Sequence, residues 1–327
     1  MRIHIQNTPN GNPAYAVDEA MWQAAVARNR VEDAGYAVTI GNSLSDYARD
    51  IADAEVLLAH NRMFRSLFPA HAPRLKLVMS ANAGVDDLAP FDWLPDGLML
   101  VKNSGTHAEK AGEYLLMALL MLANGIPLAV TNHRARRWDR QAGTTLRGKR
   151  VTLVGLGAIG GAAAAHAKHF GLHVTGVRTS ASPHPACDRV IAQADLDSVL
   201  PETDYLVLAC PLTPATRGLI DRRRLALLAP TAGIANVGRG AVIDEEALCD
   251  ALDARRLAGA VLDVFATEPL PPDHRMWTTS NVVVTPHMSS DDPQAYMPNT
   301  LDVLFRNLEA LRQGQRPPNL FDLDRGY

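Results

Sequence analysis

Residues 151–161 read VTLVGLGAIGG, a β-branched apolar run that ends in Gly155, Gly157 and Gly160 at the spacing G-x-G-x-x-G. An Ala-rich stretch suited to a helix follows, AAAAHAKHF, and then a second strand-like run, His173 to Val177. Strand, glycine turn, helix and strand form the βαβ context in which this spacing binds a dinucleotide. The first glycine permits a tight turn, the second lets backbone approach a pyrophosphate, and the third lets helix pack on strand. The backbone around Ala158 and Ile159 then opens the helix, with free N–H groups and the positive dipole end directed at phosphate. About twenty residues past the glycines an NAD site ordinarily carries Asp or Glu for the ribose 2′-hydroxyl. Here the strand ends VTGVRTS, placing Arg178 at that position with Thr179 and Ser180 behind it. A carboxylate would repel a 2′-phosphate, whereas a guanidinium with two hydroxyls would hold one. The residues therefore favour NADP(H), with NAD(H) possible.

Three further residues fall beyond the carboxyl ends of predicted strands: Arg239 after GIANVG, Glu268 after AVLDVFAT and His287 after NVVVTP. Ligands of open α/β sheets bind at such ends. The chemistry that uses these three is hydride transfer to a 2-keto acid. Arg239 can grip a carboxylate in a fork and polarise the adjacent carbonyl. His287 can donate a proton as hydride arrives. Glu268 can orient the imidazole and favour its charged form. Taken singly, each has an ordinary structural explanation: a satisfied histidine, a capping arginine, a solvated glutamate.

In these motifs the chain resembles the D-isomer-specific 2-hydroxyacid dehydrogenases, of the glyoxylate/hydroxypyruvate reductase kind, most strongly from Leu146 to Met288. GLGAIG resembles the family's cofactor loop, and CPLTPATRGLI its strand and turn beside the cofactor, which makes Pro211 and Thr216 cofactor-side residues. NVGRGAVIDEEAL carries the family arginine as Arg239, preceded by Val237 and Gly238 at the cofactor. AVLDVFATEPLP carries Asp263, which in the family faces the nicotinamide amide, and the acidic partner Glu268; TPH carries the acid/base His287. SANAGVDDL resembles the loop whose backbone binds the substrate carboxylate, through Ala83, Gly84 and Val85. HNRMF is expected to add a cleft wall through Asn61, Arg62 and Met63. The chain departs from the family after TPH, where Met288, Ser289 and Ser290 stand in place of small or glycine residues. Ser289 is then a candidate contact on the nicotinamide side. At Thr106 and His107 the family often has Asn, and His107 is read as a helix-start residue.

The resemblance implies two Rossmann-like α/β domains with parallel sheets and the active site between them. The dinucleotide-binding domain, 104–288, is inserted in a substrate domain made of 1–103 and 289–327. It also implies a homodimer formed through the cofactor domain, which suits the apolar helix near Leu115 to Leu122. Within the family, formate enzymes usually replace the Glu with Gln and phosphite enzymes place Lys in the carboxylate loop; Glu268 and SANAGVDDL argue against both. The leading expectation is an NADPH-dependent reductase of a small 2-keto acid such as glyoxylate or hydroxypyruvate. The alternatives are an NAD-linked dehydrogenase of the same family and a cofactor-sensing binding protein like the superfamily's corepressors.

The rest of the chain must position these residues. A length of 327 exceeds the size at which a single core stops growing, so two domains are expected. A net charge of −3 gives no reason to expect nucleic acid or an anionic membrane as partner. Three widely spaced cysteines lack metal-site spacing and suggest a reducing compartment, hence a cytoplasmic protein. The N-terminus enters a strand pattern directly, without a signal-peptide layout. The longest apolar run, Tyr114 to Val130, is broken by Asn124, Gly125 and Pro127 and reads as a buried helix rather than a membrane span. The first hundred residues alternate strands (IHIQ, AVTIG, EVLLAH, LKLVMSA, LMLVKNS) with helical patterns, including a helix over Asp18 to Ala34 stopped by Gly35. A long helix is expected from Ala108 to Ala123, then a polar basic connector, TNHRARRWDRQAG. Strands YLVLAC, GIANVG, GAVLDVF and NVVVT follow the glycine turn, and a last helix covers Gln294 to Arg312.

Overall fold

A computed structural model describes residues 1–67 and 72–323. The elements run β1 (Arg2–Gln6), α1 (Glu19–Asn29), β2 (Ala37–Gly41), α2 (Leu44–Asp50), β3 (Val56–Ala59), α3 (Asn61–Leu67), β4 (Leu77–Ser80), β5 (Met99–Val101), α4 (Ala108–Ala123) and α5 (Ile126–Arg134). They continue β6 (Arg150–Val154), α6 (Ala158–His169), β7 (His173–Arg178), β8 (Arg189–Ala192), β9 (Tyr205–Leu208), α7 (Arg222–Leu225), β10 (Gly233–Asn236), α8 (Glu245–Asp253), β11 (Gly259–Leu262), β12 (Val282–Val284) and α9 (Tyr296–Arg312). The chain divides into two units, Met1–His107 with Asp292–Tyr327, and Ala108–Asp291.

The first unit holds a five-stranded parallel sheet in the order β2-β1-β3-β4-β5. Alternate residues of the central strands face opposite cores. Ile3, Ile5, Val56, Leu58, Leu77 and Met79 pack with Trp22 of α1 and with Leu301, Leu304 and Phe305 of α9. Leu57, Ala59 and Val78 pack on the other face with Ile51 and Phe64. Burial on both faces explains why β3 and β4 read as near-continuous apolar runs, whereas β1 alternates and buries His4 and Gln6 as a hydrogen-bonded pair. The expected helix over Asp18 to Ala34 is shorter than the pattern suggested. Asp18 caps it by accepting from the Met21 N–H, but it ends at Asn29 because Arg30 turns left-handed (φ 56°). The Arg30 and Val31 N–H groups then close back on Ala27 and Val26. A separate 3-10 turn, Glu32–Ala34, precedes Gly35.

The second unit holds a seven-stranded parallel sheet in the order β12-β11-β10-β9-β6-β7-β8. From β6 the chain winds outward one way through β7 and β8 and the other way through β9 to β12. The reversal between β6 and β9 is the switch point at which such sheets bind ligands. Helix α4 occupies the expected Ala108 to Ala123 and packs on α6. Its run of apolar residues does not continue straight: Gly125 (φ 63°) breaks it, and α5 leaves at 68°. No single helix among the described residues is long and apolar enough to cross a membrane. The basic connector begins as helix, since α5 extends to Arg134; beyond Arg137 it has no regular structure and leaves Trp138 fully exposed. Strand β8 was not expected, because its four partly exposed residues carry too little apolar pattern at the sheet edge.

Candidate active site

The glycine turn is dictated by three different contacts. Gly155 has φ 96°, and a Cβ there would lie 2.7 Å from the backbone of Cys210. A Cβ on Gly160 would lie 1.9 Å from the Gly155 carbonyl oxygen, so α6 can sit this close to its strand only without a side chain. A Cβ on Gly157 would meet nothing within 4 Å. The first and third glycines are therefore fixed by packing. The second faces open space at the N-terminus of α6, where the first-turn N–H groups of Ala158 and Ile159 have no intrahelical partners. That is the cradle an approaching pyrophosphate needs, so the turn fits a dinucleotide.

On one side of this turn β7 ends in Arg178, which is half-buried and followed by exposed Thr179 and Ser180. Its Nη1 makes a long contact, 3.5 Å, to the Ser182 carbonyl. Ser180 shares its hydroxyl with Ser182 at 3.2 Å. On the other side, β9 leads to Pro211 and the turn that follows. The hydroxyl of buried Thr216 donates to the Pro211 carbonyl (2.7 Å) and accepts from the Thr213 N–H (2.8 Å), so this side chain shapes the turn from within.

The next three strands deliver the titratable residues. After β10, buried Asn236 ties its own turn: its Nδ2 donates to the Arg239 carbonyl (3.1 Å) and its Oδ1 accepts from the Gly238 N–H (3.1 Å). Val237 is buried, and the Arg239 guanidinium donates to the Gly238 carbonyl at 2.8 Å. A Cβ on Gly240 would lie 1.9 Å from the carbonyl carbon of Phe265, so this glycine lets the Arg239 turn press on the loop that follows β11. In that loop Glu268 accepts from the Phe265 N–H through Oε1 (2.8 Å) and pairs through Oε2 with His287 Nδ1 (2.6 Å).

His287 follows β12 in an uncommon backbone state, φ 53°. For a non-glycine residue that conformation costs about 1–3 kcal/mol and persists only where the surroundings enforce it. Asp263 enforces it. The Asp263 carbonyl accepts the His287 N–H at 2.8 Å. Its wholly buried carboxylate accepts the Met288 and Ser289 N–H groups, both at 2.9 Å, and the Thr285 hydroxyl at 2.6 Å. Tyr114 of α4 shares a 2.6 Å hydrogen bond with the same Thr285 hydroxyl, and burial pushes its own phenol up to about 12. A carboxylate offers roughly four lone-pair directions. Three of them at Asp263 are taken by the chain itself.

The electrostatics follow from this geometry. The Glu268 hydrogen bond, with its charge, raises the His287 pKa above the ordinary imidazole value, against partial burial and the Arg239 charge; Asp263 adds to the rise. Burial alone would raise Glu268, but the His287 and Phe265 hydrogen bonds and the charges of His287 and Arg239 bring it below the ordinary carboxylate value. The pair is thus tuned toward imidazolium beside carboxylate. Met288 is exposed and Ser289 buried.

The sequence-predicted residues of the first unit are grouped separately. Asn61 is buried, and its amide donates to the Gly84 carbonyl (2.8 Å) and to Asp87 (2.6 Å) while accepting from Ser80 (2.5 Å). Its backbone N–H also donates to the Asn82 side chain at 3.0 Å. Asn61 therefore shapes the loop of Ala83, Gly84 and Val85. Val85 turns its side chain into the core. Arg62 is exposed and donates to Thr8, whereas the Met63 side chain is buried in the core. His107 directly precedes α4 and is buried, its ring 4.6 Å from that of Tyr296.

Likeness to known proteins identifies the family. Residues 116–289 match the model of the D-isomer specific 2-hydroxyacid dehydrogenase NAD binding domain. The chain belongs to the D-isomer specific 2-hydroxyacid dehydrogenase family. It is 34% identical to D-3-phosphoglycerate dehydrogenase of Mycobacterium leprae over 276 residues, 84% of this chain and 50% of that protein. The chain spans about half the length of the phosphoglycerate dehydrogenases it matches. It is 31% identical to glyoxylate reductase of Thermococcus gammatolerans over 286 residues, 85% of this chain and 84% of that protein. The NADPH-dependent glyoxylate/hydroxypyruvate reductase of Sinorhizobium meliloti, solved in complex with NADP and sulfate, superposes with a TM-score of 0.80 at 26% identity, covering 100% of both chains. The fold is the two-sheet α/β architecture of this family.

Several supporting residues were not found by sequence reasoning: Asn236, Gly240, Thr285 and Tyr114. The sequence did hold signals for two of them, an Asn closing a buried strand and a second glycine in NVGRG.

Proposed function

We propose that this protein is an oxidoreductase that reduces small 2-keto acids to D-2-hydroxy acids, using NADPH in preference to NADH. The observation that carries this reading is the His287–Glu268 pair at 2.6 Å, set at the same carboxyl end of the parallel sheet as Arg239 and the glycine turn. When bound, the reduced nicotinamide supplies the hydride to the carbonyl carbon. Arg239 holds the substrate carboxylate, steadied from behind by the Gly238 carbonyl. His287, with Nδ1 engaged by Glu268, gives its Nε2 proton to the carbonyl oxygen as the C=O π bond opens, and returns to neutral imidazole. Glu268 stabilises the imidazolium beforehand and fixes the ring. The backbone N–H groups of Ala83, Gly84 and Val85 are assigned to the substrate carboxylate on the family resemblance.

NADPH preference is supported by Arg178, whose guanidinium makes one long contact among the described residues, and by the hydroxyls of Thr179 and Ser180. The Sinorhizobium reductase that shares the fold is described as NADPH-dependent. A homodimer formed through the second unit is supported by Met117, Leu120 and Ile126, which stay exposed while Leu115, Ala118, Leu119 and Leu122 are buried. The three cysteines are free thiols, in keeping with a cytoplasmic protein.

The deciding experiment is a panel of 2-keto acids, glyoxylate and hydroxypyruvate included, assayed with NADPH and NADH by absorbance and followed by chiral analysis of the products. D-hydroxy acid formed faster with NADPH supports the reading. An absence of reduced-cofactor oxidation with every acid, while the protein still binds NADP(H), refutes the enzymatic role.

A further inference from the structure

A second histidine–carboxylate pair lies behind the first. Glu245 opens α8 directly after its capping residue Asp244, and its side chain is only 11% exposed. Its Oε1 accepts from the Ala266 N–H at 2.7 Å, and its Oε2 lies 3.6 Å from His274 Nε2. His274 Nδ1 accepts from the Met276 N–H at 3.2 Å, which leaves the ring proton of the neutral imidazole on Nε2, facing Glu245. The neighbouring N–H, that of Phe265, is held by Glu268 itself. Two consecutive N–H groups of one loop are thus gripped by two carboxylates, with Gly240 pressed beneath them. A largely buried carboxylate that meets one backbone N–H and one imidazole is costly where a neutral acceptor would serve. That arrangement is expected where position matters more than stability.

We infer that Glu245 is a positioning residue for the reaction, holding the 265–268 loop so that Glu268 meets His287. Ala266 lies two residues before Glu268, and a shift of about 1 Å in a supporting contact is enough to weaken a well-placed catalytic pair. The charged groups facing His287 are Glu268, Arg239 and Asp263; those facing Glu245 are His274, Glu246 and Glu268.

The inference rests on the proposed reductase reading only where turnover is measured, so the test has two arms. In the first, His287 is titrated by NMR in the intact protein without substrate, in wild type, Glu245→Ala and Glu245→Gln. In the second, kcat/KM for glyoxylate reduction with NADPH is followed against pH. The Ala variant loses both acceptor oxygens and the charge; the Gln variant can keep the acceptor for the Ala266 N–H while losing the charge and the oxygen that faces His274. We expect Ala to lower the His287 pKa by about half a unit or more, to move the alkaline limb of kcat/KM the same way, and to cut kcat roughly tenfold, on the scale of one misplaced hydrogen bond. Gln is expected to restore most of each change. A His287 titration unmoved in a folded Ala variant overturns the inference, and so does a Gln variant that behaves like Ala. A moved titration in a protein that reduces no keto acid upholds the positioning role and overturns the reductase reading instead. If the Ala variant does not fold, Glu245→Leu, similar in bulk but without an acceptor, takes its place.

Discussion

Replacing Glu268 by Gln removes one charge and one acceptor at the proposed active site. Glu268 does two things at once, accepting from the Phe265 N–H with Oε1 and from His287 with Oε2. Glutamine has a single accepting oxygen, so it can keep one of these bonds or the other. A charge-assisted hydrogen bond contributes about 1.5–3 kcal/mol. The His287 side chain is 43% exposed and that of Glu268 32%, so solvent screening reduces the value. About 1 kcal/mol is then the appropriate scale, and it corresponds to roughly 0.7 of a pH unit on His287. Keto-acid reduction needs the imidazolium, so activity is present below the His287 pKa and lost above it. In Glu268→Gln the alkaline limb of kcat/KM should therefore move down by about 0.5–1 unit. Stability has its own window. Glu268, lowered on folding, contributes fully above its unfolded value of about 4.3; His287, raised on folding, contributes fully below its unfolded value of about 6.5. The variant should lose most stability between these values and progressively less as the pH leaves that window in either direction. Rate profiles with glyoxylate and thermal melts across the pH range test both statements. An alkaline limb that stays in place in a folded variant would refute the assignment of Glu268 as the group that charges His287.

Four other outcomes are expected. His287→Ala should lower kcat for reduction by roughly 10²–10⁴-fold with NADPH affinity little changed, as measured by turnover and fluorescence titration; near-normal turnover removes His287 from the acid role. Arg239→Lys should raise KM for short keto acids and lower kcat, because an ammonium cannot reproduce a bidentate grip; an unchanged KM would assign the carboxylate to the Ala83–Val85 backbone alone. Arg178→Asp should reverse a roughly tenfold to hundredfold NADPH preference, incompletely if Thr179 and Ser180 still hold the phosphate, and the wild-type preference should weaken in high salt; equal use of both cofactors by wild type at low ionic strength would make Arg178 a bystander. Gly160→Ala should cost about 1–3 kcal/mol by urea titration, since its Cβ would lie 1.9 Å from the Gly155 carbonyl, and a neutral result would contradict the packing assigned to the third glycine.

The two parallel sheets were legible because parallel strands buried on both faces leave near-continuous apolar runs, as in VTLV and YLVL, punctuated by helix-forming stretches. What failed was local. The α1 pattern continued past Asn29, and nothing in the residue types of Arg30 and Val31 announced a left-handed cap. Strand β8 was hidden by its brevity and its place at the edge. For the proposed site, Arg239, Glu268 and His287 were named because they follow predicted strand ends and together fit one chemistry. Their supports could not, because each is a side chain meeting a distant backbone. Asn61 reads as a cleft residue, yet its amide holds the Gly84 carbonyl; Asp263 reads as a cofactor contact, yet the chain's own turn takes much of its acceptor capacity.

Asp263 also shows why these residues sit where they do. Strand β11 pairs with β10 on one side and β12 on the other, so the residue following it lies beside both the Arg239 turn and the His287 turn. The Asp263 N–H donates to the Asn236 carbonyl, which anchors the first side, while its carbonyl and carboxylate hold His287, Met288 and Ser289 on the second. A carboxylate placed at this position satisfies three donors and keeps a non-glycine residue at positive φ. It also adds a negative charge that favours the imidazolium. A neutral isostere could retain some of those hydrogen bonds, but not the charge. The same buried residue therefore sets the direction of His287, the proposed acid/base, and favours its charged form, and the fold needs only parallel register between three adjacent strands to bring that about.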